Sequence, residues 1–360
     1  MRKILRKLII KFTLQTPPLI KNIKINYNIF KSSSDNKILE NINEKTEILK
    51  NLNLEEKSFG ELNADKIFYV IKRTPGTGMF SNITFVLNHL KICKEMNFIP
   101  IIDMKNYPSL HNEINIIKNT KNSWEYYFEK LNKYSLDEVY KSKNVYLSSK
   151  KFQKKMFIDM TDAKISKYFS KIKVKKEILQ KIDNFYKKKF KRNDKILGVH
   201  FRGSTYKTAR GHGFPLTKDL MIKNIQFLLK KFNYNKIFVV TEEQEYLKIL
   251  KENFKDKLIY YNSFRMKKLD SFKIYPRKNH RYLLGEEILI ETVLLAKCDG
   301  LTFIKSNVIS AAKMFAKKKI KFHEIYLGLN TRNKFFSKYL WFIKSILPSY
   351  FGGLKVSYKK

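Results

Sequence analysis

The stretch ILGVHFRGSTYK, residues 196–207, decides how this chain is read. Its first residues form a short apolar strand in which Leu197, Val199 and Phe201 face one way and His200 and Arg202 the other, because strand side chains alternate with period two. A histidine and an arginine at the end of a buried strand are costly unless something polar or anionic meets them. The carboxyl edge of a parallel sheet is also where open α/β folds bind their ligands. Gly203 then lets the chain turn, and Ser204, Thr205, Tyr206, Lys207, Arg210 and His212 follow before a helix capped by Thr217. Hydroxyls, two fixed cations and an imidazole suit a diphosphate; a structural His–Arg pair closing a sheet edge is the alternative.

Outward from this stretch, strands and helices alternate. Strands are expected at 236–242, 258–262 and 300–306, with helices after Thr217 and at 242–254, 286–298 and 307–316. A similar alternation precedes it: strands at 66–72, 98–104 and 144–147, helices at 81–97, 123–131 and 176–190. Such alternation implies parallel sheets covered on both faces. The expected architecture is therefore α/β, two Rossmann-like domains whose parallel sheets face a central cleft. Their boundaries are a basic extension over 1–60, an N-terminal domain over 61–190, a C-terminal domain over 191–332 and a basic amphipathic segment over 333–360.

Composition bounds the function. The chain has 360 residues and a net charge of +42, yet only 10 of its 74 basic residues are arginine. A protein that reads nucleic acid is expected to use arginine freely, because its planar fork grips phosphate and guanine bidentately. The Lys-, Asn-, Ile-, Phe- and Tyr-rich composition instead fits A/T-rich codon usage, and nucleic acid is the least favoured partner. Cys93 and Cys298 offer no zinc spacing and no disulfide framework, which fits a reducing, cytoplasmic setting. At the N-terminus Leu5, Leu8, Ile9 and Phe12 form one helical stripe, and Phe336, Tyr339, Leu340, Ile343, Ile346 and Leu347 form another near the C-terminus. Either stripe can lie on an anionic membrane or dock on the protein itself.

Three further clusters carry chemistry. Gly76, Gly78 and Asn82 lie between a strand and a helix start, where free N–H groups favour an anion. Ser306, Asn307 and Ser310 open a helix after a strand, and capping accounts for one of them. Arg277, His280 and Arg281 share one loop ahead of Glu287 and Glu291, two acids that an Arg-paired structural face explains equally well. No Asp-x-Asp, Walker loop, Gly-x-Ser-x-Gly or His-Glu-x-x-His is present, and neither a metal nor a cofactor is called for.

His200-Phe201-Arg202-Gly203 after a Gly-Val strand, Thr241-Glu242 closing a Val-Val strand, and Lys297-Cys298-Asp299-Gly300 followed by Ser306-Asn307-Val308 occur in this order and spacing. Together they resemble the three C-terminal motifs of the α1,2/α1,6 and protein O-fucosyltransferase superfamily, bacterial members similar to the nodulation fucosyltransferase above all. Gly76 to Asn82 resembles that superfamily's N-terminal Gly-rich motif. The resemblance implies a GT-B fold and an inverting, metal-independent transferase with GDP-fucose as donor substrate and a saccharide acceptor, either a surface glycan or a lipid-linked oligosaccharide.

It also implies that Arg202 holds the donor's β-phosphate, that His200, Ser306, Asn307 and Ser310 line the nucleotide site, and that Asn82 reaches it across the cleft. Glu242 stands where relatives carry Asp at the nucleobase or ribose. Gly203, Lys207, Arg277 and Arg281 complete the expected donor contacts. This chain lacks the acid that close relatives carry after His-x-Arg-Gly, so His212 is the candidate base, or else a phosphate contact. The competing functions are a transferase for another nucleotide-activated sugar and a non-catalytic basic protein that binds nucleic acid or anionic polysaccharide.

Overall fold

The computed structural model describes residues 54–73, 77–149, 158–266 and 271–358; the N-terminal stripe and Gly76 lie outside them. A first sheet holds β1 (Glu55–Lys57), β2 (Leu62–Ile71), β3 (Ile99–Ile102) and β4 (Ser142–Leu147) in the order β1-β4-β2-β3. β2 runs parallel to both β3 and β4, and only the edge strand β1 is antiparallel. The central strand ends in Phe68-Tyr69-Val70-Ile71, all fully buried, the continuous apolar run expected of a parallel strand covered on both faces. Helix α1 (Met79–Met96) covers this sheet and stops at Asn97, whose left-handed backbone (φ 57°) returns its N–H to the Cys93 carbonyl. Residues 55–57, assigned by sequence to the basic extension, are thus part of a sheet.

The second sheet has six strands: β5 (Ile196–His200), β6 (Lys236–Val240), β7 (Leu258–Tyr260), β8 (Gly300–Phe303), β9 (Lys321–Tyr326) and β10 (Ser357–Tyr358). Their order is β10-β9-β8-β5-β6-β7, parallel throughout except for β10 at the edge. Around it lie α2 (Lys176–Lys189), α3 (Lys218–Phe232), α4 (Gln244–Phe254), α5 (His280–Leu295) and α6 (Asn307–Phe315). Thr217 caps α3 as expected, its hydroxyl accepting the Leu220 N–H at 3.3 Å. One apolar core runs from Tyr69, Ile71 and Phe85 through Trp124, Tyr126 and Phe128 to Leu289, Leu294 and Phe303, so both sheets share it.

Two expectations fail locally. The helix expected at 123–131 is one 3₁₀ turn, Ser123–Tyr126. Trp124, Tyr126, Tyr127 and Phe128 are all buried, so nearly every side of 124–128 is apolar and packed, with only Glu125 partly exposed. Its entry is fixed by Asn122, whose amide donates to the Ile102 carbonyl and accepts from the Met104 N–H. Strands β9 and β10 were not anticipated: β9 is reached through a run of lysines and buries only alternate residues, His323 and Ile325. No described helix is long and apolar enough to cross a membrane.

Candidate functional site

The strand order reverses direction at β5. From β5 the chain steps through β6 to β7 at one edge, while β8 and β9 lie on the other side. The winding reverses between β5 and β8, and a crevice opens beyond the carboxyl ends at such a switch point. The two strands pair in register up to His200 and Phe303. The residues that follow them, Phe201–Gly203 and Ile304–Ser306, therefore emerge side by side.

Arg202 follows β5 at that switch point with a loosely engaged guanidinium. Its Nε lies 3.8 Å from Glu242 Oε1, an ion pair too long for a hydrogen bond, and this buried Nε has no hydrogen-bond partner. The guanidinium carbon rests 4.3 Å from the centre of the Tyr206 ring, and that ring lies 4.8 Å from the His212 ring. A planar cation held on an aromatic face, with donors left over, is suited to grip an anion bidentately. His212 is shifted below the usual histidine range, by burial first and by the Arg202 charge second. His200 is buried, its Nδ1 is without a partner, and burial followed by Arg202 pushes its pKa down to about 3. Both imidazoles are neutral at pH 7, so Arg202 supplies the fixed positive charge of this cluster.

Gly203 is required for a reason other than a positive φ. A Cβ there would lie 2.1 Å from the Tyr246 ring and 2.4 Å from Glu243 Oε1. The following turn, Ser204–Thr208, carries Lys207, whose ammonium sits 4.7 Å over the Trp341 ring. The loop that bears His212 is tied down by backbone bonds: Gly211 N–H to the Asn330 carbonyl, and Asn330 N–H to the His212 carbonyl. On the β8 side Ser306 caps α6, its hydroxyl facing the Ile309 N–H at 3.5 Å, while Ser310 is buried and Asn307 exposed.

Other expected site residues are engaged elsewhere. Asn82 does not reach across the cleft: its side chain donates to the Thr77 carbonyl at 3.0 Å and accepts from Thr77 N–H and Arg73. Gly78 precedes α1, and a Cβ there would meet nothing within 4 Å. Arg277 grips Glu287 with two bonds of 2.6 and 2.8 Å and donates a third to His280, so its charge is neutralised by the helix that follows it, α5. Arg281 is exposed, and its carbonyl meets His111. The Arg-paired reading of the acids holds, since Glu291 meets the buried Arg265 at 2.8 Å. Burial nonetheless raises Glu291 to about 7 against the pull of Arg265.

Arg73 is the residue that sequence reasoning missed. It follows β2 directly and donates to the Ser81 carbonyl (2.6 Å), the Ser81 hydroxyl (3.1 Å) and Asn82 Oδ1 (3.2 Å). Its rarity as one of ten arginines, at the carboxyl end of a strand, was the available signal. Among the described residues no cluster of three or more His, Cys, Asp or Glu is placed to hold a metal ion.

No protein-family model and no curated protein matches the chain. Among solved structures it is similar to NodZ alpha-1,6-fucosyltransferase soaked with GDP-fucose, at 16% identity and a TM-score of 0.46 over 72% of this chain and 95% of that one. It is also similar to fucosyltransferase NodZ from Bradyrhizobium, at 15% identity and a TM-score of 0.45 over 72% and 96% of the two chains. For the apo form of POFUT1 the values are 11% and 0.38, over 73% and 99%. So loose a likeness of chain path assigns no residue a role.

Proposed function

We propose that this protein is an inverting, metal-independent glycosyltransferase that moves fucose from GDP-fucose to a saccharide acceptor, a surface glycan or a lipid-linked oligosaccharide, in the cytoplasm. The observation that carries the reading is Arg202, a loosely paired guanidinium at the switch point of the second sheet, within the His200-Phe201-Arg202-Gly203 motif.

In this reaction the acceptor hydroxyl attacks the sugar C1 from the face opposite the diphosphate. The C1–O bond breaks and its electron pair stays on the β-phosphate oxygen. Arg202 neutralises the charge that develops there, an electrostatic role that acts only as the leaving group departs. The acceptor proton needs a base, and the exposed His212, whose pKa partial desolvation and the Arg202 charge hold below the usual histidine range, can take it.

The test is GDP release from GDP-fucose in the presence of a saccharide acceptor panel. Arg202→Ala should lower turnover by roughly a hundredfold or more, the scale of a lost oxyanion-type contact, with the thermal midpoint little changed. Retained turnover in that variant would remove the central residue of the mechanism. A second reading, a transferase for a different nucleotide sugar, is favoured by Glu242: it faces Arg202, which leaves the nucleobase without an assigned acidic contact. Protection by UDP instead of GDP would select that reading.

A further inference from the structure

The end of the chain has an unusual charge balance. Residues 325–360 contain seven Lys or Arg and no Asp or Glu, although the last acid, Glu324, lies in β9 just before them. Within this segment a 3₁₀ turn (Phe336–Lys338), helix α7 (Leu340–Ile346) and a second 3₁₀ turn (Ser349–Phe351) follow one another before β10 closes on β9.

The segment is firmly built onto the protein by its inner side. Trp341 is buried and its indole N–H donates to the Pro215 carbonyl at 2.8 Å. Asn330 bridges inward, donating to the Lys207 carbonyl at 3.2 Å and to the Ser337 carbonyl at 2.9 Å. Lys344 donates to the Gly352 carbonyl, and the Tyr358 hydroxyl reaches Asn224 at 2.5 Å. Its outer side is bare. Nine large apolar side chains between residues 335 and 351 are each more than 40% exposed, Ile346 at 82% and Tyr350 at 80%. Around them Arg332, Lys334, Lys338 and Lys355 are exposed, and none forms an ion pair with a described acid.

We propose that this face, Phe336, Tyr339, Phe342, Ile343, Ile346 and Tyr350 with its rim of cations, is a docking surface for an anionic lipid bilayer. The chemistry of the face selects that occupant. Aromatic and aliphatic side chains partition into the headgroup boundary, while lysine and arginine are drawn to negative lipid charge. A protein partner of mixed charge would meet no acid to pair with its own cations. The rigid inner contacts mean that the face need not fold on binding, so little ordering entropy opposes association. Through Asn330 and Trp341 the same segment touches the Ser204–Thr208 turn, and docking would hold the Arg202 crevice close to the bilayer. The surface does not depend on which nucleotide sugar occupies that crevice.

The test is co-sedimentation of the full chain with phosphatidylcholine vesicles, with and without phosphatidylglycerol. Two variants accompany it: Phe342→Ser/Ile346→Ser/Tyr350→Ser, and Lys334→Glu/Lys338→Glu/Lys355→Glu. The wild type should sediment with the anionic vesicles only, and less so as salt is added. Each variant should lose roughly tenfold or more in partitioning while keeping the wild-type circular dichroism melt, because every altered side chain is exposed. Undiminished binding by both variants would overturn the proposal and move the lipid contact to the N-terminal stripe. A dimer that the apolar variant splits, with no vesicle binding by the wild type, would overturn it in favour of a second copy of the chain.

Discussion

The loops that follow β2 and β5 share one local grammar and use it oppositely. Each places an arginine just past the end of a central parallel strand, then glycine, then a helical turn, with a buried histidine within reach of the arginine's charge. Arg73 makes three bonds of 2.6–3.2 Å, all to Ser81 and Asn82 in the first turn of α1, and Asn82 clasps Thr77 of the preceding loop. Arg202 makes a 3.8 Å ion pair and an aromatic contact, and one of its N–H groups has no partner. A buried donor left without a partner costs about 1–3 kcal/mol, and the Arg202 Nε carries that cost. This contrast is the ground for reading Arg73 as architecture and Arg202 as the proposed phosphate contact.

The sharpest way to break that contrast is to exchange the losses. Arg202→Ala should remove turnover and leave stability nearly intact. Arg73→Ala should do the reverse in kind, lowering stability by about 2–3 kcal/mol because charged hydrogen bonds are lost from a partly buried position, with turnover reduced only as far as the loop loosens. Paired melts and GDP-release assays on the two variants decide it; a stability loss in Arg202→Ala larger than in Arg73→Ala would invert the assignment.

The histidines beside the two arginines test the next level. His89 and His200 are pushed down to about 3, and His111 to about 4, all chiefly by burial. Between about pH 4 and 6.5 the unfolded chain therefore binds protons that the folded chain refuses. Stability is fully present above pH 6.5 and falls as pH drops, by up to about 1.4 kcal/mol per pH unit for each such group. Melts from pH 7 to pH 4.5 should show this slope, and His200→Gln should flatten it by about a quarter, because His323 is pushed down to about 4 as well. An unchanged slope would mean that His200 is protonated in the fold.

The glycines give a smaller and finer contrast. Gly203→Ala should cost about 1–3 kcal/mol through collision with Tyr246, and Tyr246→Ala should recover part of that loss in the double variant. Gly78→Ala meets open space at φ −57°, so stability should stay level or rise by about 0.5 kcal/mol. Should turnover fall with Gly78→Ala nonetheless, the open space there is where substrate approaches.

Much of this was legible beforehand because it rests on short-range rules. Period-two alternation put His200 and Arg202 on one face, and the alternation of strands with helices implied parallel sheets whose edge forms a cleft. Long-range pairing was not legible. The Arg-paired face at Glu287 was one of two readings open in the sequence, and only the fold shows Arg277 holding that acid with two bonds instead of facing a phosphate. Asn82 looked like a hand across the cleft because the sequence does not announce that Thr77 and Arg73 would engage its carbonyl and one of its N–H groups. At the C-terminus the helical stripe was correct as a pattern, but Trp341, which lies off that stripe, is the buried anchor because Pro215 offers its indole a carbonyl. Residues 123–131 misled for a related reason: aromatic burial on every side overrode an apparent helical spacing.

The central claim is that the β5–β8 switch point binds a guanosine diphosphate through Arg202, and nucleotide binding tests it without knowledge of the acceptor. Thermal shift of the wild type, Arg202→Ala and Arg73→Ala with GDP, UDP and CMP is the measurement. A ligand that binds only the folded state at a hundredfold excess over Kd stabilises it by about 2.7 kcal/mol. The account predicts a GDP-specific shift in the wild type that persists in Arg73→Ala and disappears in Arg202→Ala. A GDP shift undiminished in Arg202→Ala, or no shift with GDP at all, would contradict it.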